Sequence, residues 1–283
     1  MPVVTSQQIQ NYYDLYRSIE VTFNLEVTKL LGFVQDQVFL KLMGAQWPCL
    51  LYSSSLEGAK VILSLKPDQI ERLRKESNLG SLRYSFRLQD KPEPLTFFVN
   101  VKIKGYNKYT NATNPDLYFM TLDFPQRPSD DLIEILGGFL EANVNAHKRK
   151  DERIPVNEQI IRKIGFQSCN AIISVEQIDR KCLLRDLSFG GAKLIFPGVA
   201  KFLDKRPCVL RLVDFEDGHV LSLGGAFLRV EPLEGHPDLT QAVMLFDPES
   251  VPQVYKVKIN DFLKLLTKSI AAKKNAASQK ESI

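Results

Sequence analysis

Two ten-residue stretches of this chain repeat each other, and that repetition restricts the fold more than any other feature. Ser53-Ser54-Ser55-Leu56-Glu57-Gly58-Ala59-Lys60-Val61-Ile62 lines up with Asp186-Leu187-Ser188-Phe189-Gly190-Gly191-Ala192-Lys193-Leu194-Ile195. Each stretch is a turn that runs into an apolar strand. Each is followed by a short helical piece, further strands and a closing amphipathic helix. The shared order of neighbours makes a chance match between two strand corners the weaker reading. Two copies of one small module are expected, in keeping with 283 residues at roughly 150 per domain.

In the first copy, Thr5 and Gln8 form a capping box, and Ile9, Tyr12, Tyr13 and Tyr16 recur at helical spacing. Residues 19–25, 37–43, 49–53, 60–65, 81–88, 96–104 and 117–123 read as short strands, rich in β-branched and aromatic side chains. Residues 67–77 read as an amphipathic helix with Ile70 and Leu73 inward. The closing helix is capped by Ser129 or Asp130 and carries the stripe Leu132, Ile133, Leu136 and Leu140, weakened by Gly137-Gly138. In the second copy, strands are expected at 171–176, 181–185, 192–196, 209–213, 221–230 and 242–246. A last helix follows Ser250 and Pro252, with Tyr255, Ile259, Phe262, Leu263, Leu266 and Ile270 on one face. Short strands at this spacing point to barrels or sandwiches rather than βαβ units. The expected fold is mainly β with accessory helices: two antiparallel β-barrels in tandem, each closed by an amphipathic helix. The expected division is a first barrel domain over 1–142, a polar linker over 143–153, a second domain over 154–270 and a disordered tail over 271–283.

Composition narrows the function. Hydrophobic residues are 44% and charged residues 25%, the balance of a globular chain. No apolar run approaches the roughly 18 residues of a membrane span, and residues 1–5 lack the basic start of a signal peptide. Cys49, Cys169, Cys182 and Cys208 form no CxxC pair, so free thiols in the cytoplasm are expected. His147, His219 and His236 lack metal-ligand spacing. Neither a nucleophile elbow nor a GxxxxGK[ST] loop occurs. The expectation is a protein that is not an enzyme, has no metal and no cofactor, and stays off the membrane. The net charge of +4 is mildly basic.

Two motifs remain. Arg149-Lys150-Asp151-Glu152-Arg153 is an RxxxR in the linker, and Asp186-Leu187-Ser188-Phe189-Gly190-Gly191 is a DxSxxG at a corner before an apolar strand. Either alone is common. In this order they resemble the PilZ domain, the bacterial receptor for cyclic di-GMP, and the resemblance covers about residues 147–270. It implies that Arg149 and Arg153 close over the ligand from a flexible segment, and that Asp186 accepts from the guanine N1–H and N2–H₂ edge. It also implies that Ser188 offers its hydroxyl, that Gly190 and Gly191 allow close approach, and that Lys148 and Lys150 add positive potential. One ligand or an intercalated pair would fit it. The chemistry suits these residue types, because an arginine fork pairs bidentately with phosphate or with guanine O6 and N7 and stacks on a purine face.

The first copy departs from the pattern. Ser53 stands where the motif has an acid, and only Arg17 precedes its first strand. It resembles a divergent PilZ barrel without a working ligand site, as in two-domain effectors whose divergent N-terminal barrel precedes a ligand-binding PilZ domain. With the RxxxR between the domains, the expected function is a cyclic di-GMP effector that changes interdomain orientation on binding and signals to a downstream protein. Tyr12, Tyr13, Tyr16 and Trp47 are core by the commoner rule, or else a partner surface. In the plainer reading of the second copy, Arg149 and Arg153 pair with Asp151 and Glu152, while Asp186 and Ser188 form a simple turn. The alternative function is a nucleic-acid-binding module, suggested by the basic linker and by Lys264, Lys268, Lys273 and Lys274, or a structural interaction module with an inactive PilZ site.

Overall fold

A computed structural model describes residues 4–42, 44–75, 78–88, 92–109, 114 and 116–280. Met43 of the expected 37–43 strand, Glu76 and Ser77 of the expected 67–77 helix, and residues 281–283 of the expected tail lie outside the described residues. The chain divides into two compact units, residues 1–141 and 142–283.

Unit 1 runs through α1 (Ser6–Tyr16), β1 (Val21–Thr22), α2 (Leu25–Leu30), β2 (Phe39–Leu42), β3 (Ala45–Ser54) and β4 (Gly58–Ser64). It continues with α3 (Pro67–Lys75), β5 (Leu79–Phe86), β6 (Leu95–Lys108), β7 (Leu117–Asp123) and α4 (Asp130–Lys148), whose last turns belong to unit 2. Its sheet has the order β1-β3-β2-β5-β6-β7-β4, and the pairing of β3 with β4 closes six of the strands into a ring. Unit 2 contains β8 (Ile154–Pro155), α5 (Glu158–Ile164), β9 (Asn170–Val175), β10 (Ile178–Ser188), β11 (Gly191–Pro197), β12 (Pro207–Val213), β13 (Val220–Leu233), β14 (His236–Phe246) and α6 (Gln253–Lys280). Its order is β11-β14-β13-β12-β9-β10-β8, with β10 against β11 closing a second antiparallel ring. The fold is therefore mainly β, with two barrels in tandem and accessory helices.

The repeat extends to irregularities. Ladder β3–β4 slips between Leu51 and Ser53, and ladder β10–β11 slips between Leu184 and Asp186, the matching place. Ladder β6–β7 slips between Ile103 and Gly105, as β13–β14 does between Phe227 and Arg229. Such bulges bend a strand sharply enough to close a small barrel. One glycine in each copy sits where closure needs it. A Cβ on Gly58 would lie 2.5 Å from the Leu122 carbonyl oxygen, and one on Gly191 would lie 2.3 Å from that of Met244.

The barrels fill with alternating side chains. Leu40, Leu51, Val61, Leu82, Tyr84 and Phe86 are fully buried in unit 1. Leu184, Leu187, Leu194, Leu210, Leu223 and Met244 share the core of unit 2 with Tyr255, Ile259, Phe262 and Leu263 from α6. Tyr12 and Tyr16 are buried, while Tyr13 and Trp47 are half-buried. The capping box at α1 is half formed. The Thr5 hydroxyl accepts from the Gln8 amide, but the Gln8 side chain donates to the Tyr12 hydroxyl at 2.8 Å instead of back to the cap.

Several expectations change. The 19–25 strand is only Val21–Thr22, because Asn24 caps a new helix by accepting from the Val27 amide at 2.9 Å. Helix α5 was not anticipated; Asn157 starts it, and Gly165 ends it at φ +102°. The 143–153 linker is helical as far as Lys148, since α4 continues through it. The expected disordered tail is helix through Lys280. The four cysteines are free and buried.

The Gly137-Gly138 pair does two different things. A Cβ on Gly137 would lie 2.6 Å from the Tyr12 Cβ, so this glycine admits α1 against α4, whereas Gly138 faces open space. Gly137→Ala should lower stability by about 1–3 kcal/mol through overpacking, and Gly138→Ala should raise it by up to ~1 kcal/mol through helix propensity. Denaturant unfolding of the two variants checks both signs. Burial pushes the Cys49, Cys182 and Cys208 thiols up to about 12, against about 8.5 in an unfolded chain. The folded state holds these protons more tightly, so their contribution to stability is full below about pH 8.5 and is lost as the pH rises through the folded values. Thermal unfolding followed across an alkaline pH series should show that decline.

Candidate functional site

The DxSxxG corner is the turn between β10 and β11, with Asp186 facing Lys193, Leu187 facing Ala192 and Ser188 facing Gly191. The Ser188 hydroxyl donates to the Gly191 carbonyl at 3.2 Å, and the Ser188 carbonyl accepts from the Tyr255 hydroxyl of α6 at 2.7 Å. Ser188 is 1% exposed. Its hydroxyl is thus engaged within the turn. Burial raises the Tyr255 hydroxyl far above the ordinary tyrosine range; Arg153 lowers it and Asp186 raises it by smaller amounts.

The RxxxR segment is a strap laid on this corner. Helix α4 delivers it, with the Arg149 amide donating to the Asn145 carbonyl at 2.8 Å. Asn145 is itself fixed to Asn260 of α6 by a 2.8 Å side-chain hydrogen bond. The Glu152 amide donates to the Arg149 carbonyl at 3.0 Å, and the Gly190 amide donates to the Lys150 carbonyl at 3.0 Å. A Cβ on Gly190 would sit 3.1 Å from that Lys150 oxygen, so a glycine here lets strap and corner touch. Immediately after the strap, β8 pairs with β10, Ile154 against Leu187 and Pro155 against Asp186. The segment expected to be flexible is thus held at both ends.

Of the two arginines, Arg153 reaches the motif acid: its Nη1 donates to Asp186 Oδ1 at 2.9 Å. Arg149 does not. Its guanidinium forks onto Glu152, with Nε to Oε2 at 2.5 Å and Nη2 to Oε1 at 2.7 Å. The plainer pairing is therefore right for Arg149 and wrong for Arg153. Lys148 and Lys150 are exposed beside them. Next to the corner lies an open recess of about 410 Å³, lined by Gly224, Gly225, Ala226, Leu245, Phe246, Asp247 and Ser250. It adjoins the corner because Leu245 pairs with Gly191 and the Phe246 amide donates to the Gly190 carbonyl. The sequence reading missed this floor; the Gly224-Gly225-Ala226 run was its one signal.

The matching corner of unit 1 carries a different set of charges. Strand β1 pairs with β3 as β8 does with β10, so Glu20 occupies the place of Arg153 and Ser53 that of Asp186. The Ser53 hydroxyl donates to Glu20, and Lys60 Nζ binds Glu20 Oε2 at 2.8 Å. Burial pushes the Glu20 carboxyl up, but Lys60 and Ser53 outweigh it and hold the group below the ordinary carboxylate range. Arg17 pairs with Glu57 at 3.2 Å, and Glu57 and Asp123 line the same small recess. The carboxylates of this corner are thus paired within unit 1.

Residues 7–143 match the PilZN3 domain family. A protein of Treponema denticola named cyclic di-GMP binding protein is 38% identical over 268 residues, covering 95% of this chain and 85% of that protein. The chain belongs to the PilZ family. Among solved structures, the PlzA protein of Borreliella burgdorferi in complex with c-di-GMP is 23% identical, covering 91% of this chain and 98% of that one, with a TM-score of 0.40. YcgR of Escherichia coli in complex with c-di-GMP is 12% identical, covering 97% and 100%, with a TM-score of 0.29. Within this PilZ chain, unit 1 carries the PilZN3 match and unit 2 carries both motifs. Among the described residues no group of three or more side chains suits a metal, and no helix is long and apolar enough to cross a membrane.

The corner depends on Tyr255 from beneath. Tyr255→Phe removes the hydrogen bond to the Ser188 carbonyl, and should cost about 0.5–1.5 kcal/mol of stability. Chemical denaturation of the variant measures that loss.

Proposed function

We propose that this protein is a cytoplasmic receptor for cyclic di-GMP, that the ligand binds where the strap meets the corner in unit 2, and that it is not consumed. The observation that carries this reading is the 2.9 Å contact between Arg153 and Asp186, which joins two motifs 33 residues apart in the chain. The name of the relative that is 38% identical supports it. Cyclic di-GMP presents two phosphates and two guanines. Each guanidinium of the strap already makes charge-assisted contacts to a carboxylate, so binding exchanges one anion for another. Once Arg153 turns to the ligand, Asp186 is available to accept from the guanine N1–H and N2–H₂. The recess beside Gly191, poor in side chains and flanked by the exposed Leu245, suits a purine face. Lys148 and Lys150 add attraction for the phosphates.

The exchange also suggests how a signal leaves the site. Releasing Arg149 from Glu152 frees the strap at the end of α4, the helix that continues from unit 1 into unit 2. In this reading the units then change relative orientation and present a different surface to a downstream protein.

Calorimetric titration of cyclic di-GMP into the full chain tests the site. A charge-assisted hydrogen bond is worth roughly 1.5–3 kcal/mol, so Arg149→Ala and Arg153→Ala should each weaken binding about ten- to a hundred-fold. Unchanged affinity in both variants would overturn the site. Distance labels, one in each unit, test the switch: the distance distribution should shift at saturating ligand, and an unaltered distribution would contradict it.

A further inference from the structure

Lys193 was not among the residues that either motif singled out, yet it lies directly across the ladder from Asp186. Strand β11 alternates inward and outward, with Ala192 and Leu194 buried and Lys193 half-buried on the outer side. Residues opposed in an antiparallel pair have Cβ atoms about 4.5–5.5 Å apart on one face of the sheet. Lys193 therefore shares a face with the acid that Arg153 binds.

The internal repeat shows how far such a lysine reaches. Lys60 is its counterpart, opposite Ser53 as Lys193 is opposite Asp186. Lys60 Nζ extends to Glu20 Oε2 at 2.8 Å. Glu20 is the residue just before β1, the position that Arg153 holds before β8. By that frame the lysine of unit 2 extends toward the place held by the Arg153 guanidinium, which itself binds Asp186 through Oδ1. Two cations side by side repel each other unless an anion stands between them. In unit 1 the lysine's neighbour is the Glu20 carboxylate. In unit 2 the matching residue is Arg153, and an added anion would be attracted by both cations.

We infer that Lys193 is a third cation of the ligand site, contacting a phosphodiester of the bound dinucleotide together with Arg153, and that it sets affinity for a dianion. This rests on the receptor reading above and adds a residue to it. The lysine common to both copies would then serve two purposes: an internal ion pair where the pre-strand residue is Glu20, and phosphate binding where it is Arg153.

Lys193→Met keeps the length of the side chain and removes its charge. In the full chain, titrated with cyclic di-GMP, it should bind about ten-fold more weakly than the wild type. The gap should narrow as salt rises, because the lost contact is electrostatic, and Lys193→Arg should recover most of the affinity. A structural role would not give that salt dependence, and thermal unfolding reports separately on folding. Lys193→Met binding within two-fold of wild type at low salt, while Arg153→Ala is strongly impaired, would overturn the role of Lys193 and leave the receptor reading standing. A wild-type chain that gives no binding would overturn both.

Discussion

The contact between Arg153 and Asp186 is where the second barrel and the strap that precedes it become one site. Its use is not stability. Both side chains are partly exposed, 35% and 19% respectively, and such pairs typically contribute about 0–1 kcal/mol. What the pair does is place a guanidinium over the corner, held through one contact from Nη1 to Asp186 Oδ1. The anchoring is done by the backbone: the Gly190 amide on the Lys150 carbonyl, and the two-residue pairing of β8 with β10. Beneath these, Tyr255 holds the Ser188 carbonyl and Gly191 lets β14 close on β11.

The two copies diverge through few residues on a shared frame. Both keep the bulge before the corner, the glycine after it and the lysine opposite the motif position. At the two positions that decide the charge, unit 2 has Arg153 and Asp186, and unit 1 has Glu20 and Ser53. With Lys60 neutralising Glu20, the first corner completes its own ion pair. One backbone thus supports two corners with different ion pairs, Arg153 with Asp186 in unit 2 and Lys60 with Glu20 in unit 1.

Much of this was legible in the chain, because repeats, turns and alternating strands are local patterns. The ten-residue repeat marked the matching corners, and DxSxxG marked the turn. What escaped was set by long-range packing. Nothing local distinguishes a glycine that weakens α4 from one that admits Tyr12, and Gly137 proved to be the second kind. The polar run 143–148 reads as a linker until Asn145 is seen against Asn260. The burial of Ser188 in the corner is likewise not encoded in the spacing of its motif. The choice of partner for each arginine is a matter of a few ångströms across strands, which spacing in sequence does not encode.

The most direct measurement is a structure of the full chain with cyclic di-GMP bound. The account predicts the ligand on the corner between β10 and β11, with the guanidinium of Arg149 moved off Glu152 and that of Arg153 moved from Asp186 onto the ligand. A dinucleotide bound elsewhere, or one on the corner with both arginines still on their carboxylates, would contradict it.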